Sequence, residues 1–144
     1  MKIRTLIILM AVITCCVILT SCNDKQPSQS DFEFFVATPV LETNCGETVT
    51  YNAELKNKTE NDYVLSHGIP LITIYIYTPG EKPEDGVFST LLETKISASE
   101  SISKELKTQF TEPGEYMLRA YCSFSVQGEN FHYEVDDYKI IFNE

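Results

Sequence analysis

The sequence predicts an all-β chain folded as a sandwich of seven to eight short strands. Three observations carry that expectation. The 144 residues contain eight Tyr and eight Phe but no Trp, and Thr, Val and Ile are frequent, a supply that suits half-buried pleated surfaces. The stretch ETVTYNAELKN (47–57) alternates strictly, with Val49, Tyr51, Ala53 and Leu55 on one face and Thr48, Thr50, Asn52, Glu54 and Lys56 on the other, the period-two signature of a strand with one buried face. Turn chemistry recurs between such runs, at Asn57–Asn61, Pro79-Gly80, Pro113-Gly114 and Gln127–Asn130, at a spacing that suits a sandwich.

Taken in order, FEFFV (32–36) is the first predicted strand and 47–57 the second. DYVLSH (62–67) and LITIYIYT (71–78) read as two further strands parted by a turn at Ser66–Pro70, the latter apolar on both faces and therefore central. The stretch from Pro79 to Gly86 is a polar loop, and VFSTLLE (87–93) the next strand. KISASESISKELKTQF (95–110) fits helical spacing through Ile102, Leu106 and Phe110 as well as alternation; its serines and Thr108 weaken a helix, so it is read as mostly strand. In TEPGEYMLRAYCSFSV (111–126), Tyr116, Leu118, Ala120, Cys122 and Phe124 should face the core, and Met117, Arg119, Tyr121 and Ser123 should face out. QGEN (127–130) supplies a hairpin glycine. FHYEVDDYKIIF (131–142) closes the fold, with a bulge expected at Asp136-Asp137.

The N-terminus is of another kind. Lys2 and Arg4 precede TLIILMAVITCCVILT (5–20), an uncharged run that is short for a membrane span and fits the apolar core of a secretory signal. Leu19-Thr20-Ser21-Cys22 resembles the bacterial lipobox. The resemblance implies diacylation of the Cys22 thiol, cleavage before it, and residence on a membrane facing away from the cytoplasm. Two or more acyl chains anchor stably where one does not. The chain then divides into a signal peptide (1–21), a lipidated cysteine with a flexible polar tether (22–31) and one domain (32–144). Removing 21 of the 144 residues leaves 123, the size of one domain, and losing Lys2 and Arg4 takes the formal charge from −10 to −12. Such acidity disfavours nucleic acid and anionic headgroups.

Catalytic and metal chemistry find little support. Neither His67 nor His132 lies in a motif that places it beside a nucleophile; His67 sits in the expected turn and His132 should be an exposed strand residue. Blue copper would need histidine and methionine close after a cysteine, but His132 follows Cys122 by ten residues and no methionine follows. Glu134, Asp136 and Asp137 lack a calcium-loop spacing. Asn57-Lys58-Thr59 has the form of a glycosylation acceptor, void in a bacterial cell. No cofactor, metal, nucleic acid or small-molecule substrate is indicated, and no enzyme is expected. Tyr75, Tyr77 and Tyr121 could form an aromatic platform, though packing against neighbouring strands is the plainer reading. The candidate interaction residues are Ser66, His67, Tyr75 and Tyr77, with the turn Ser66–Pro70 and the loop Gly80–Gly86 as the surface.

Pro113-Gly114-Glu115-Tyr116 is similar to the tyrosine corner of immunoglobulin-like domains, which makes Tyr116 the candidate structural corner. By that similarity a core disulfide would fall at Leu118 rather than Cys122. Cys45 precedes its strand, so the two cysteines lie near opposite ends if the strands run the same way. An exported compartment permits the bridge; the geometry favours Cys122 as a small buried hydrophobe. GETVTYNAELKNKTENDYVLSHGIPLITIYIY (46–77) with EPGEYMLRA (112–120) resembles the BsuPI-type intracellular proteinase inhibitor domain and related immunoglobulin-like domains of bacterial lipoproteins. The resemblance implies the sandwich and, as one alternative, inhibition of a secreted or membrane protease; no inhibitory residue carries over. The leading expectation is a membrane-anchored, non-catalytic module that binds an envelope protein or assembly partner, with glycan or metal-ligand capture as a further alternative.

Overall fold

The computed structural model describes residues 26–37, 39–84 and 90–144; Cys22, Thr38 and 85–89 lie outside them, and with them the lipidation site and part of the expected 87–93 strand. A short 3-10 turn (Gln29–Asp31) leads into eight strands: β1 (Phe32–Ala37), β2 (Glu42–Asn44), β3 (Thr48–Asn57), β4 (Tyr63–Tyr77), β5 (Leu92–Ile96), β6 (Ser101–Gln109), β7 (Gly114–Val126) and β8 (Glu129–Asn143). They form two sheets, β1-β3-β6 and β2-β8-β7-β4-β5. Every pairing is antiparallel except β2 with β8. The opening segment thus splits, β1 joining one sheet and β2 the other. This is an immunoglobulin-like sandwich; composition and alternation predict the sandwich, and the resemblance of Pro113-Gly114-Glu115-Tyr116 to the tyrosine corner its immunoglobulin-like form.

The core is the set of inward positions the alternation predicts. Val49, Tyr51, Ala53 and Leu55 of β3 are 0–5% exposed, and Leu118, Ala120, Cys122 and Phe124 of β7 are 0–4% exposed. Aromatic clusters close the two ends. At one end Phe32 stacks edge-on to Phe124 and Phe131 at 5.1 and 5.5 Å between centroids. At the other, Phe110 lies 4.2 Å from Tyr116 and 4.6 Å from Phe142. The Tyr116 hydroxyl donates to the Glu112 carbonyl four residues upstream at 3.3 Å, which is corner geometry.

Asn57, fully buried at the end of β3, ties two loops together. Its Nδ2 donates to the Asn61 and Ser97 carbonyls at 2.7 and 3.0 Å, and its Oδ1 accepts from the Thr59 N–H and hydroxyl at 3.0 and 2.9 Å. The amide of the glycosylation-like triplet is therefore committed inside the fold.

Several expectations need correction. DYVLSH and LITIYIYT are one strand. The backbone runs through Ser66–Pro70 without a turn, with a cis Ile69–Pro70 bond and a register shift between His67 and Ile72. The bulge places the sequence's turn-like Gly-Ile-Pro within the sheet. Residues 95–110 divide into β5 and β6 about a bend at Ser97–Glu100. The bulge expected at Asp136-Asp137 is present, where the pairing steps from Leu118↔Tyr138 to Ala120↔Val135. Cys45 and Cys122 are both free. Cys45 donates its N–H to Asn143 while Cys122 pairs with Tyr133, ten residues along β8 and so about 30 Å away. The expected tether is folded from Gln26 onward, with Pro27 and Asp31 buried.

Candidate functional site

The outer face of the five-stranded sheet is where alternation stops predicting exposure. Thr73 and Tyr75 of β4, Arg119, Tyr121 and Ser123 of β7, and His132 and Glu134 of β8 all point away from the core by register. Yet Arg119 and Tyr121 are 4% exposed and Thr73 8%. The loop after β4 folds back onto Arg119, which in turn covers Tyr121: the Arg119 guanidinium donates to the Pro83 carbonyl at 3.3 Å and to Glu134 Oε1 at 2.6 Å, and lies 4.8 Å over the Tyr121 ring. Lys82, from the same loop, bridges to Glu134 at 3.2 Å and to Asp136, and Tyr77 donates to Asp136 at 3.1 Å.

Charge in this layer is balanced pair by pair. The Arg119 hydrogen bond, ahead of Lys82, holds the Glu134 carboxyl below the usual range, and the Asp136 and Glu134 carboxylates raise Lys82. Glu134 and Asp136 are thus engaged with cations of the chain itself, and among the described residues no group of three or more His, Cys, Asp or Glu is placed to hold a metal. Two buried hydroxyls, Thr73 Oγ1 and Tyr121 Oη, have no hydrogen-bond partner among the described residues.

Beside this layer opens a groove of about 390 Å³, lined by Ser66, Gly68, Leu91, Ser123, Ser125, Asn130 and His132 with edges of His67, Phe124 and Phe131. Its floor is a product of register. Ser66, Ser125 and Asn130 are successive partners across β4, β7 and β8, and Ser123 faces His132 one step further along. The wall is Leu91, 78% exposed. Among the described residues no Asp, Glu, Lys or Arg lines it, and its titratable groups are the two histidines.

The sequence named some of these residues and missed others. Ser66 lines the groove, but as a strand residue. His67 is 7% exposed rather than displayed: its Nδ1 meets the Gly68 carbonyl at 2.5 Å and its Nε2 the Thr94 hydroxyl at 2.8 Å, so it pins the β4 bulge to β5. Tyr75 and Tyr77 are half-buried; Tyr75 sits 6.1 Å from Tyr121 as part of the covered layer, not as an open platform. Of the loop Gly80–Gly86, Gly80–Glu84 is described. His132 is exposed, as expected, but Ser123 Oγ lies 2.8 Å from its Nδ1 and Glu134 Oε2 3.6 Å from its Nε2, an adjacency that no local motif encodes and only the β7–β8 register could have revealed. Serine, histidine and carboxylate are the parts of a nucleophilic triad. Acyl transfer also needs preorganised oxyanion donors, and Glu134 here is held by Arg119 and Lys82. What the arrangement offers is a row of hydroxyl, amide and imidazole groups beside an apolar wall, suited to hydrogen-bonding a polar ligand.

No family model matches the chain, and no curated protein is similar to it in sequence. Among solved structures, it is similar to PapD-like domain 7 of human CEP192, at 13% identity over 85% of this chain and 90% of that one, with a TM-score of 0.44. It is also similar to Spo0M, a sporulation control protein from Bacillus subtilis, at 13% identity over 79% of this chain and 50% of that one, TM-score 0.38. A β-glucosidase from Listeria innocua in complex with glucose aligns at 15% identity and a TM-score of 0.38 over 73% of this chain, which spans only 16% of that enzyme.

Proposed function

We propose that the chain is a membrane-anchored bacterial lipoprotein, tethered through lipid on Cys22, whose sandwich is a non-catalytic binding module for an envelope protein or assembly partner. The binding surface in this reading is the groove on the five-stranded sheet, in place of the Ser66–Pro70 turn. The observation that carries it is convergence: Ser66, Ser123, Ser125, Asn130 and His132 meet in one concavity of about 390 Å³, within the size range of ligand sites. Its hydroxyl, amide and imidazole groups suit backbone amides or hydroxyls, the groups a loop of another protein or a sugar presents.

The test is capture. The domain Asn23–Glu144 and its Ser125→Trp variant are crosslinked to envelope extract and the captured proteins identified. Trp at 125 fills the groove from an outward position, so the fold should melt unchanged. The reading expects a partner captured by the wild type and lost from the variant; equal capture by both would refute the groove. The anchor is tested separately: Cys22→Ala should lose lipid labelling and accumulate precursor, and normal processing would remove the lipoprotein reading.

A further inference from the structure

We infer that the sandwich is held with one defined end toward the membrane, the end carrying the β7–β8 hairpin, because the link between lipid and fold is far shorter than the polar segment suggests. The inference rests on the lipid-anchor reading. Its own observation is the strap Gln26–Asp31. Gln26 Nε2 donates to Glu129 Oε1 at 2.5 Å, and Gln29 Nε2 donates to the His132 carbonyl at 3.3 Å. The Tyr133 hydroxyl donates to the Gln29 carbonyl at 2.8 Å. Asp31 closes the turn by accepting the Ser28 N–H at 2.8 Å, and its carbonyl takes the Lys58 N–H at 2.8 Å. The strap lies along the part of β8 that β2, paired only at Glu42↔Ile141 to Asn44↔Asn143, does not reach.

Only four peptide steps then separate Cys22 from Gln26, about 14 Å at full extension. The fold leaves the strap at the end where β3, β5 and β7 finish and β4, β6 and β8 begin. The opposite end lies the length of β7 away, 13 residues or about 40 Å. A 14 Å leash cannot carry that far end to the headgroups unless the domain lies on its side. Lying down would press an acidic surface onto the bilayer; the chain without its first 21 residues carries −12, since Lys2 and Arg4 are lost from a total of −10. The near end is itself acidic, with Glu60, Asp62, Glu100 and Glu129 against Lys58 and Lys95, so it stands over the headgroups without entering them. The groove, opening beside Asn130 and His132, therefore sits in the lower part of the domain, close to the lipid surface. The partner it suits is one that is itself in or on that membrane.

The experiment uses the full lipidated protein in phosphatidylethanolamine–phosphatidylglycerol vesicles with an acceptor dye on the headgroups. Donor dyes are placed at Glu60→Cys, near end, or Glu112→Cys, far end, in a Cys45→Ser background; buried Cys122 stays unlabelled. Energy transfer should be several-fold stronger from position 60. Inserting about twenty Gly/Ser residues between Lys25 and Gln26, which adds a coil of about 25 Å, should shrink that difference. Equal or reversed transfer in protein shown by mass spectrometry to carry lipid overturns the orientation and leaves the anchor standing. A difference that survives the insertion overturns the short leash as its cause. Absence of lipid on Cys22 removes the anchor and the orientation with it.

Discussion

Replacing Asn57 by alanine tests how the two loops at the strap end are held. The side chain makes four hydrogen bonds from a position with no solvent exposure. Alanine removes all four; the Ser97 carbonyl keeps the Glu100 N–H at 3.1 Å and the Asn61 carbonyl the Thr59 hydroxyl at 3.4 Å, so the Thr59 N–H is the group that loses its acceptor. A net hydrogen bond contributes about 1 kcal/mol and a buried orphaned group costs about 1–3 kcal/mol. Water can reach the Thr59–Asn61 side, which is exposed or half-exposed, so the loss falls well short of the full sum, at about 2–4 kcal/mol. For a domain of this size that lowers Tm by roughly 8–15 °C. Urea unfolding of the Asn23–Glu144 domain is the assay, with the m-value expected unchanged. Aspartate at the same position should be no better, because it keeps the acceptor for Thr59 but sets a carboxylate against two carbonyls. A loss below about 1 kcal/mol for Asn57→Ala would mean that the loops hold without the amide, and the reasoning would fail.

Other changes have equally definite outcomes. Thr73→Val and Tyr121→Phe each delete a buried hydroxyl with no partner, so each should be neutral or mildly stabilising; a loss above about 1 kcal/mol would reveal a bound water or ligand group there. Glu134 titrates low through Arg119, so its contribution is present above the unfolded carboxyl pKa of about 4.3 and is lost as pH falls through the lower folded value. Glu134→Gln should therefore cost up to about 1 kcal/mol at pH 7, solvent screening included, and the cost should fade as pH falls below the unfolded carboxyl value, as read by thermal melts across pH. Burial pushes the Cys122 thiol up to about 12, while Cys45 is only partly buried. A thiol reagent should therefore titrate Cys45 in the native domain and reach Cys122 only after denaturation; rapid native labelling of Cys122 would contradict its place in the core.

How much of this was legible depends on which forces act locally. Alternation along 47–57 and 116–124 found both central strands and their inward faces, because a period of two follows from the pleat alone. The Asp136-Asp137 bulge and the Gln127-Gly128 turn were legible for the same kind of reason: paired acids interrupting an apolar alternation, and a glycine where the hairpin needs positive φ, which Gly128 has at 88°. Ser66–Pro70 misled because Gly and Pro punctuate loops far more often than strands. Only the pairing of β4 on both sides, with β5 through His67 and with β7 on either side of the bulge, carries the strand across them. The polar stretch before Phe32 read as unstructured for want of apolar residues, yet it is held by side-chain hydrogen bonds to β8 more than 100 positions away.

The same limit explains why the groove was invisible while half its residues were in view. Outward positions of a strand are expected to meet water, and on the three-stranded sheet they do: Thr48, Thr50 and Lys56 of β3, and Ser101, Ser103, Glu105 and Gln109 of β6, are exposed, a solvated face with lysines beside an edge strand, which discourages edge-to-edge association. On the five-stranded sheet the loop after β4 converts half of the outer face into a second buried layer around Arg119 and Tyr121. The groove is the step between the covered half and the open half. A step of this kind has no sequence signature, because its lining comes from β4, β7, β8 and the residue before β5, and it exists only once two faces of one sheet are finished differently. If that asymmetry is what recognition uses, loosening the cover should alter the groove while sparing the core. Lys82→Ala removes the loop's bridge to Glu134 and Asp136 without touching a lining residue. It should change partner capture and leave the melting transition close to that of the wild type, since exposed ion pairs contribute little; unchanged capture would separate the groove from its cover.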